Sequence, residues 1–401
     1  MAARLDALVE PSLLVWARES ASFSVEDAAQ RAGQTPERLC AWESGEENLT
    51  IPQLKKLASI YKRPLSVFFL PEPPKGFMPL RDLRRLSEAT GKISKALAYE
   101  IRAAQERRSI AIDLYEELGD GFPEIDLTAK VTENPDEAGA RLRARLGVLF
   151  VQQTRWRRAE DAFRGWREAI ENTGILVTVL GGAHHQVPLS EVRGFALAER
   201  PVPMIAVNGQ DRGYGRVFTL LHELAHVALG ESVFEDELED VHRLPAPNQA
   251  TETFCNRVAA AILMPRESLL AEHLVAEKGP RPTYADEEIA FLATRYGVSR
   301  EALLVRLADL NRADRTFVAE KRAEYARFFA QQQAAEREEP TGAPPYHTIV
   351  LSHLGRGFAR LVLQAYSARR VTLSTAAAYL GAQAKLIPKI ERAAFNGGAE
   401  L

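Results

Sequence analysis

The sequence predicts a mainly α-helical protein with a small β-sheet, of the α+β class. Apolar residues recur at helical spacing along most of the chain, and three short β-like runs lie together between residues 174 and 208. The 401 residues, 46% of them hydrophobic, are enough for two or three domains with cores of their own. The net charge of −3 excludes a strong overall attraction to nucleic acid or to anionic membranes.

Residues 10–70 are predicted to form five short helices. Ser24 begins one helix that Gly33 ends, and Thr35 begins the next, with Pro36 at its first position. Two short helices joined by a tight turn that contains glycine are typical of the helix-turn-helix, whose second helix enters the major groove of DNA. The candidate DNA-contacting residues belong to this second helix: Thr35, Glu37, Arg38 and Ala41.

The charge of residues 1–70 argues against DNA binding, whereas the charge of the segment that follows them favours it. Residues 1–70 contain 8 Lys/Arg and 9 Asp/Glu, and Arg38 is the only cation of the candidate recognition helix. Phosphate contacts usually supply most of the affinity for DNA, so this domain alone should bind weakly. The segment from Lys75 to Arg108 carries 9 Lys/Arg against 4 Asp/Glu and is expected to supply phosphate contacts. The alternative is that both are interaction helices or a solvated basic face.

Residues 73–208 are predicted to hold a proline-rich linker, several helices and the sheet. The helices run from about Ile93 to Leu118, from Pro135 to Leu146 and from Trp156 to about Thr173. The predicted strands are Gly174–Leu180, Val192–Leu197 and Pro203–Asn208. We expect an edge strand here, the one that ends at Asn208, to hold an extended substrate by strand addition.

The most informative stretch follows the sheet and contains His222, Glu223 and His226 in the pattern H-E-x-x-H. Its apolar residues have helical spacing, and Gly230 stands where a helix stop belongs. On a helix the two histidines lie on one face, with Cβ atoms about 5–6 Å apart, so both can bind one metal ion. Glu223 can then take the proton of an attacking water and pass it to a leaving amine. The alternative is a core helix that contains two histidines by chance.

A catalytic zinc site needs a third protein ligand and one open position. Glu252 begins a predicted helix that ends at Pro265, and Asn256 follows one turn later on the same face. If this helix packs against the first, Glu252 can reach the metal and Asn256 can orient a ligand. The alternative role of Glu252 is a first-turn acid that complements the helix dipole. The acids between Glu235 and Asp240 compete for the ligand role but cluster in a predicted loop.

These motifs resemble those of a known family. The run from Arg216 to Gly230, followed by Glu252-x-x-Cys-Asn-x-x-Ala-Ala-x-x-Leu-Met-Pro265, resembles the ImmA/IrrE family of zinc metallopeptidases over about residues 150–270. The resemblance implies a gluzincin-like site with one zinc ion per chain, in which His222, His226 and Glu252 are ligands and Glu223 is catalytic. The best-known members act on repressors, and many are encoded beside or fused to a DNA-binding domain.

The N-terminal region carries a second resemblance. Ala28, Ala32, Gly33, Leu39 and Trp42-Glu43-x-Gly45, followed by Gln53-Leu-Lys-Lys-Leu-Ala58, resemble the XRE (Cro/repressor-like) family of helix-turn-helix domains over about 50 residues. This resemblance implies that the partner is operator DNA.

Beyond Pro265 every predicted element is a helix. Residues 287–310 have a helix–turn–helix outline, a charged helix covers 318–338, and a linker from Glu339 to Pro345 leads to the last helices. There a helix over Leu351–Tyr366 is paired with Leu373–Gly381, which imitates a helix-turn-helix and is followed by Lys385, Lys389 and Arg392. For this last part a lid or a protein-docking module is favoured over DNA binding.

The predicted organisation has five parts. They are a DNA-binding domain (1–72), a linker and helical connector (73–149), a zinc metallopeptidase domain (150–270), a helical extension (271–338) and a C-terminal helical module (346–401). The predicted function is a DNA-binding transcriptional regulator that cleaves a specific protein partner, such as a repressor or antitoxin. The alternative is an XRE-type repressor or antitoxin with a structural or sensory zinc site. The presence of Glu223 favours the enzyme, since a structural metal does not need it.

Composition also indicates where the protein acts. Cys40 and Cys255, the only two cysteines, are predicted to be buried in helices, which suits a reducing compartment. The N-terminus lacks the apolar core of a signal peptide, and no apolar run reaches the length of a membrane span. We therefore expect a cytoplasmic protein without a membrane partner, which binds double-stranded DNA and a protein substrate. A homodimer is an open alternative to a monomer.

Overall fold

The computed structural model describes residues 6–21, 23–61, 63, 65–72, 94–181, 186–211, 213–231, 246–335 and 344–395. The predicted fold class is confirmed, because the described residues are mostly helical and contain one three-stranded sheet. The chain forms two compact units, Met1–Asp113 with Ala183–Val187, and Leu114–Gly182 with Pro188–Leu401. Within the described ranges no helix has both the length and the apolar character needed to cross a membrane.

The first unit contains the five short helices expected near the N-terminus. They are α1 (Pro11–Ser20), α2 (Val25–Ala32), α3 (Pro36–Ser44), α4 (Ile51–Tyr61) and a 3-10 helix (Leu65–Phe69). Ser24 caps α2 by accepting the amide hydrogen of Asp27, and Gly33 ends it in the left-handed region at φ 65°. The helices close around one buried cluster, whose largest members are Leu13, Leu14, Leu39, Trp42, Leu54, Leu57, Tyr61 and Phe68.

The remaining helices are numbered in chain order. They are α5 (Lys95–Leu118), α6 (Pro135–Leu146), α7 (Phe150–Gln153), α8 (Ala159–Glu171), α9 (Tyr214–Leu229), α10 (Ala246–Leu263), α11 (Arg266–Leu270), α12 (His273–Ala276), α13 (Asp286–Tyr296), α14 (Arg300–Asp309), α15 (Arg315–Ala335), α16 (Tyr346–Leu354), α17 (Arg356–Ser367), α18 (Leu373–Tyr379) and α19 (Ile387–Phe395), with a 3-10 helix at Ala384–Leu386. The single helix predicted over Leu351–Tyr366 is wrong, because Gly355, at φ 85° and ψ 154°, separates α16 from α17.

The three predicted strands form one sheet, but their order was not expected. The strands are β1 (Leu176–Leu180), β2 (Gly194–Leu197) and β3 (Met204–Asn208), in the order β1-β3-β2. β3 is parallel to β1 and antiparallel to β2. The strand that ends at Asn208 is therefore central, and its main-chain groups pair on both sides. The expectation that this strand binds substrate by strand addition is wrong, because only an edge strand can add a partner.

The outer edge of β1 is covered by C-terminal helices of the same unit. Arg167 of α8 donates hydrogen bonds of 2.6 Å to the carbonyl oxygens of both Val177 and Ser352. The Thr178 hydroxyl donates to the carbonyl oxygen of His353 at 2.9 Å. These bonds fix α16 against β1. Among the described residues, β1 and β2 are the two edge strands and each pairs only with β3, so these bonds distinguish the edge at β1 from the edge at β2.

The start of α17 lies against a buried ion pair within α8, and its main-chain amides at Arg356 and Gly357 bond to the Glu171 carboxylate. Arg167 Nε lies 3.4 Å from Glu171 Oε1, and their side chains are only 10% and 4% exposed. Burial raises the pKa of Glu171, and the Arg167 charge and the main-chain amides of Gly357 and Arg356 oppose that rise. A Cβ atom on Gly355 would lie 2.2 Å from Glu171 Oε1, so this junction requires glycine.

The helices that follow Pro265 share the core of the region that contains the H-E-x-x-H motif. Buried residues of α13, α14 and the start of α15 belong to the same cluster as those of α9 and α10. Gln153 ties the two parts together, since its side-chain amide donates to the carbonyl oxygens of Leu263 at 2.8 Å and Tyr296 at 2.7 Å. These helices therefore form part of the domain core rather than a separate lid.

The contact between α6 and α10 depends on Gly139. A Cβ atom there would lie 2.6 Å from Ala261 Cβ and 3.2 Å from the Val258 carbonyl oxygen. We expect Gly139→Leu to lower the free energy of unfolding by about 1–3 kcal/mol, because it forces the helices apart. Ala140→Leu, at an exposed position of the same helix, is the control and should change it by less than about 0.5 kcal/mol. Equal urea-unfolding midpoints for both variants would contradict the close helix contact.

Candidate metal centre

The candidate site is built on α9, whose position depends on core packing. Leu220, Leu221 and Leu224 are fully buried in the core cluster. At the N-terminal half of the helix, the Thr219 hydroxyl donates to the buried Asp211 carboxylate at 3.1 Å. Gly230 ends the helix in the left-handed region at φ 72°, as its sequence position indicated. The helix is thus fixed along its length before any ligand atom is considered.

Three potential ligand atoms converge between α9 and α10. The Nε2 atoms of His222 and His226 are 2.9 Å apart. Glu252 Oε2 lies 3.2 Å from the first nitrogen, and Glu252 Oε1 lies 3.4 Å from the second. In the part of the chain that the structure describes, this is the group of His, Cys, Asp and Glu side chains with metal-binding geometry, and its ligand atoms all lie within 4.8 Å of one another.

This donor set fits a divalent metal ion. Two ligands bound tetrahedrally to zinc at about 2.0–2.1 Å lie about 3.3 Å from each other, close to the distances between the three atoms. Nitrogen lone pairs and a carboxylate that face each other at this range repel unless a cation lies between them. The two histidines are fully buried and the Glu252 side chain is 15% exposed, so water screens that repulsion poorly.

Glu252 lies deeper in its helix than the sequence suggested. The prediction that it begins the helix is wrong, because α10 starts at Ala246 and tolerates Pro247 in its first turn. Glu252 therefore lies beyond the first turn of α10, and the helix dipole stabilises a carboxylate mainly within that turn. Burial raises the pKa of Glu252, whereas protonated His222 and His226 would donate hydrogen bonds to the carboxylate and hold this pKa well below its ordinary value.

The same face of α10 also contacts the other ring nitrogen of each histidine. Asn256 Oδ1 lies 3.0 Å from His222 Nδ1, and Cys255 Sγ lies 3.6 Å from His226 Nδ1. Because an amide oxygen can only accept, His222 Nδ1 carries the proton and Nε2 presents its lone pair toward the site. Cys255 is buried as predicted, but its contact with His226 was missed. The signal was its spacing, one residue before Asn256 and three after Glu252.

Glu223 is fully buried and lies against β2. A Cβ atom on Gly194 would lie 3.1 Å from Glu223 Oε1 and 2.8 Å from the Thr219 methyl group. Gly194 therefore allows the carboxylate to approach the strand, and a glycine inside a strand was the signal that could have revealed this.

The edge of β2 that faces away from β3 runs past Glu223, and its residues Gly194 and Ala196 are buried. The amide of Asn208 donates to the Arg193 carbonyl oxygen at 2.7 Å, which fixes the alternation of the antiparallel ladder. In that alternation the amide and carbonyl groups of Gly194 and Ala196 point away from β3. An extended peptide could pair with these groups.

Tyr214 and Arg216, near the start of α9, contact other elements, and the acids that compete with Glu252 lie outside the described residues. The Tyr214 hydroxyl donates to the Arg157 carbonyl oxygen at 3.3 Å, and the Arg216 guanidinium lies 4.2 Å from the Phe163 ring centroid. The acids from Glu235 to Asp240 fall in the segment 232–245, which lies outside the described residues.

The predicted DNA-contacting residues all lie at or on α3. Thr35 caps the helix by accepting the Arg38 amide hydrogen, Glu37 is exposed and Ala41 is half-buried. Arg38 donates to Glu47 Oε1 at 2.9 Å, so its charge is partly neutralised within the domain. The expectation that Cys40 is buried is wrong, because this residue faces outward between the buried Leu39 and Trp42.

Glu43, an acid that weighs against DNA binding, is already paired. Its carboxylate accepts from Arg18 Nε at 2.8 Å, and both side chains are largely buried. The basic segment from Lys75 to Arg108 lies within the described residues only from Ser94 onward.

Comparison with known proteins agrees with this division. Residues 14–68 match a family model described as helix-turn-helix, and residues 172–308 match one described as IrrE N-terminal-like domain. The chain thus contains one region similar to helix-turn-helix domains and a second region similar to the IrrE N-terminal domain, as both resemblances implied.

The chain is also similar to two curated relatives over part of its length. Over 107 residues the chain is 36% identical to the radiation response metalloprotease IrrE of Deinococcus deserti and 35% identical to the protein of that name in Deinococcus radiodurans. The aligned part is 26% of this chain, and it spans 36% and 31% of the two relatives, about a third of their length.

Asn256 tests the metal centre without removal of a candidate ligand. We expect Asn256→Leu to weaken metal binding by about 10–100-fold, because His222 loses the acceptor that orients its ring. Asn256→Asp keeps an acceptor and should bind metal about as well as the wild type. Competition with a chromophoric chelator measures both affinities. If the two variants bind metal equally well, Asn256 does not orient His222.

Proposed function

We propose that the protein is a DNA-binding transcriptional regulator whose zinc metallopeptidase domain cleaves one specific protein partner, such as a repressor or antitoxin. The observation that carries the proposal is the convergence of His222, His226 and Glu252, with Glu223 between them and the edge of β2. A site that only held a metal for structural reasons would not need a fourth, non-ligating carboxylate beside a strand edge.

In this proposal one zinc ion per chain is held by His222, His226 and Glu252. Two imidazoles and one carboxylate leave the fourth position of a tetrahedral ion open, as in catalytic zinc sites. A zinc ion there would act as a Lewis acid on a peptide carbonyl and increase the acidity of the attacking water. Asn256 orients His222, and Cys255 limits the movement of the His226 ring.

Glu223 is the proton carrier of the proposed reaction. Its carboxylate accepts a proton from the water that attacks the scissile carbonyl and donates it to the leaving amine. The substrate is an extended segment of the partner that pairs with Gly194 and Ala196 on β2, which brings its backbone next to Glu223. A folded partner offers such a segment only in a linker or an unwound terminus, so the proposal assigns the cleavage there.

The burial of the site supports a narrow specificity. His222, Glu223 and His226 have no exposed surface, and Glu252 has little. We propose that the protein is inert on casein-like substrates. It acts in the cytoplasm, where the helix-turn-helix domain binds an operator, and a homodimer would match two half-sites.

Glu223→Gln separates peptidase activity from metal binding. When wild type is co-expressed with the proteins encoded beside it, one partner should become shorter. Glu223→Gln should retain about one zinc ion per chain, because the residue is not a ligand, and should leave the partner intact. His222→Ala should lose both zinc and cleavage. The opposite result is that no partner is shortened, and that wild type and Glu223→Gln repress the promoter equally and protect cells from the toxin equally. The non-proteolytic repressor or antitoxin is then the better description.

Arg38 tests the DNA-binding part. We expect Arg38→Ala to reduce the preference for the operator over a scrambled duplex by about 1–3 kcal/mol, because a cation on the second helix is lost. Glu47→Gln should strengthen binding to both duplexes, since it removes the carboxylate that pairs with Arg38. Anisotropy titrations over a salt series measure both effects. Equal affinity of wild type for operator and scrambled DNA at every salt concentration would refute specific recognition.

A further inference from the structure

The three-helix arrangement of α1–α3 occurs a second time, in α17–α19. Each C-terminal residue below stands 348 positions after its N-terminal counterpart, as Gly381 does after Gly33. Both glycines adopt a left-handed conformation, at φ 65° and φ 57°. Thr372 caps α18 by accepting the Thr375 amide hydrogen at 3.1 Å, which is the bond that Ser24 makes with Asp27 in α2.

The turn itself is also repeated. After Gly33 the amide of Gln34 donates to the Ala29 carbonyl oxygen at 2.9 Å. After Gly381 the amide of Ala382 donates to the Ala377 carbonyl oxygen at the same distance. A left-handed glycine with this bond ends a helix and reverses the chain, so both segments turn into their next helix in the same way.

The cores of the two three-helix units correspond position by position. Each pair consists of apolar side chains that are at most 3% exposed: Leu13 and Leu361, Leu14 and Val362, Ala17 and Ala365, Ala28 and Ala376, Leu39 and Ile387, Trp42 and Ile390. One glycine and one cap could agree by chance, but a constant offset across six buried positions indicates that the two units bury equivalent positions of their helices.

The outward face of the second helix differs sharply in charge. On α3 this face carries Glu37, Cys40, Ala41 and Ser44, and at the four corresponding positions the C-terminal unit has Lys385, Pro388, Lys389 and Arg392, all exposed. Among the described residues none of the three cations forms an ion pair. Residues 344–395 contain 7 Lys/Arg and 1 Asp/Glu, a net +6 within a chain of net −3.

We propose that α17, α18 and α19, with the 3-10 helix at Ala384–Leu386, form a second helix-turn-helix that binds double-stranded DNA through Lys385, Lys389 and Arg392. A helix-turn-helix inserts its second helix into the major groove, where cations on the outward face meet phosphates or base edges. The spacing of these residues aligns them along one face over about two turns. This proposal goes beyond the proposed function and reverses the sequence-based preference for a lid or docking module.

The contacts that attach α17–α19 to the rest of the domain do not cover the proposed DNA-binding residues. The contacts with β1 and α8 are made by α16 and α17, through the Ser352 and His353 carbonyl oxygens and the Glu171 carboxylate. The cations lie on the 3-10 helix and α19 and remain exposed in the docked state. The N-terminal unit, whose second helix offers Arg38 as its cation, would then select the sequence while the C-terminal unit supplies phosphate affinity.

The test uses the full-length chain with Lys385, Lys389 and Arg392 each changed to Gln. The matched control changes Arg145, Arg158 and Arg322 to Gln, three cations that are 59%, 69% and 58% exposed on other elements. Binding to a labelled 30-base-pair duplex is followed by anisotropy from 50 to 200 mM salt. The test variant should bind at least about tenfold more weakly at low salt, with a salt slope smaller by about 2–3, while the control changes affinity less than about threefold.

Two further measurements make the result decisive. In the wild-type protein, duplex DNA should protect Lys385 and Lys389 from chemical modification and should not protect the exposed Lys130. This measurement does not depend on the stability of the variant. Arg38→Ala alone should leave this protection intact, so a failure of the N-terminal domain is distinguishable. The proposal is overturned if neither lysine is protected or the test variant keeps the wild-type salt slope. It is also overturned if polyglutamate displaces the duplex charge for charge, since the surface would then bind acidic protein.

Discussion

The candidate catalytic apparatus depends on the packing of α9 against α10. Neither helix contains a complete ligand set, because His222 and His226 come from one and Glu252 from the other. Their contact brings three mutually repulsive donor atoms within 4.8 Å, a cost that the surrounding apolar core offsets until a cation neutralises it. The approach of α6 at Gly139, the Gln153 bonds and the shared core with α13 and α14 all hold this helix pair. Metal binding and folding are therefore linked in this domain.

Short-range patterns in the sequence predicted most elements and the members of the site. Spacing of four residues on one helix fixed the relation of His222 to His226, and the apolar face of the next helix pointed to Glu252 and Asn256. The order of the strands could not be predicted from the sequence. It depends on which strands meet after a crossover and not on the composition of any one strand. The same limit applies to Gly194, whose importance arises only when Glu223 approaches β2 from another element.

The errors have local causes as well. Cys40 was assigned to the interior because free cysteine is usually buried, yet its position between Leu39 and Trp42 directs it outward. The predicted helix through Gly355 continued across a residue that the Glu171 carboxylate and the Val177 carbonyl oxygen require to be small. The correspondence between α17–α19 and α1–α3 was not predicted, because the two segments share few identical residues. Caps, a turn glycine and buried apolar positions agree, while the surface residues that dominate a visual comparison have changed.

The closure of β1 by the C-terminal helices has a consequence for synthesis. Thr178 and the His353 carbonyl oxygen that covers its strand are separated by 175 residues of chain. At about 5–20 residues per second, the ribosome completes β1 about 9–35 s before the segment that covers it. During that interval the growing polypeptide presents a bare strand edge, the kind of surface that templates association with neighbouring chains. The protein's own residues cover this edge only after translation passes α16.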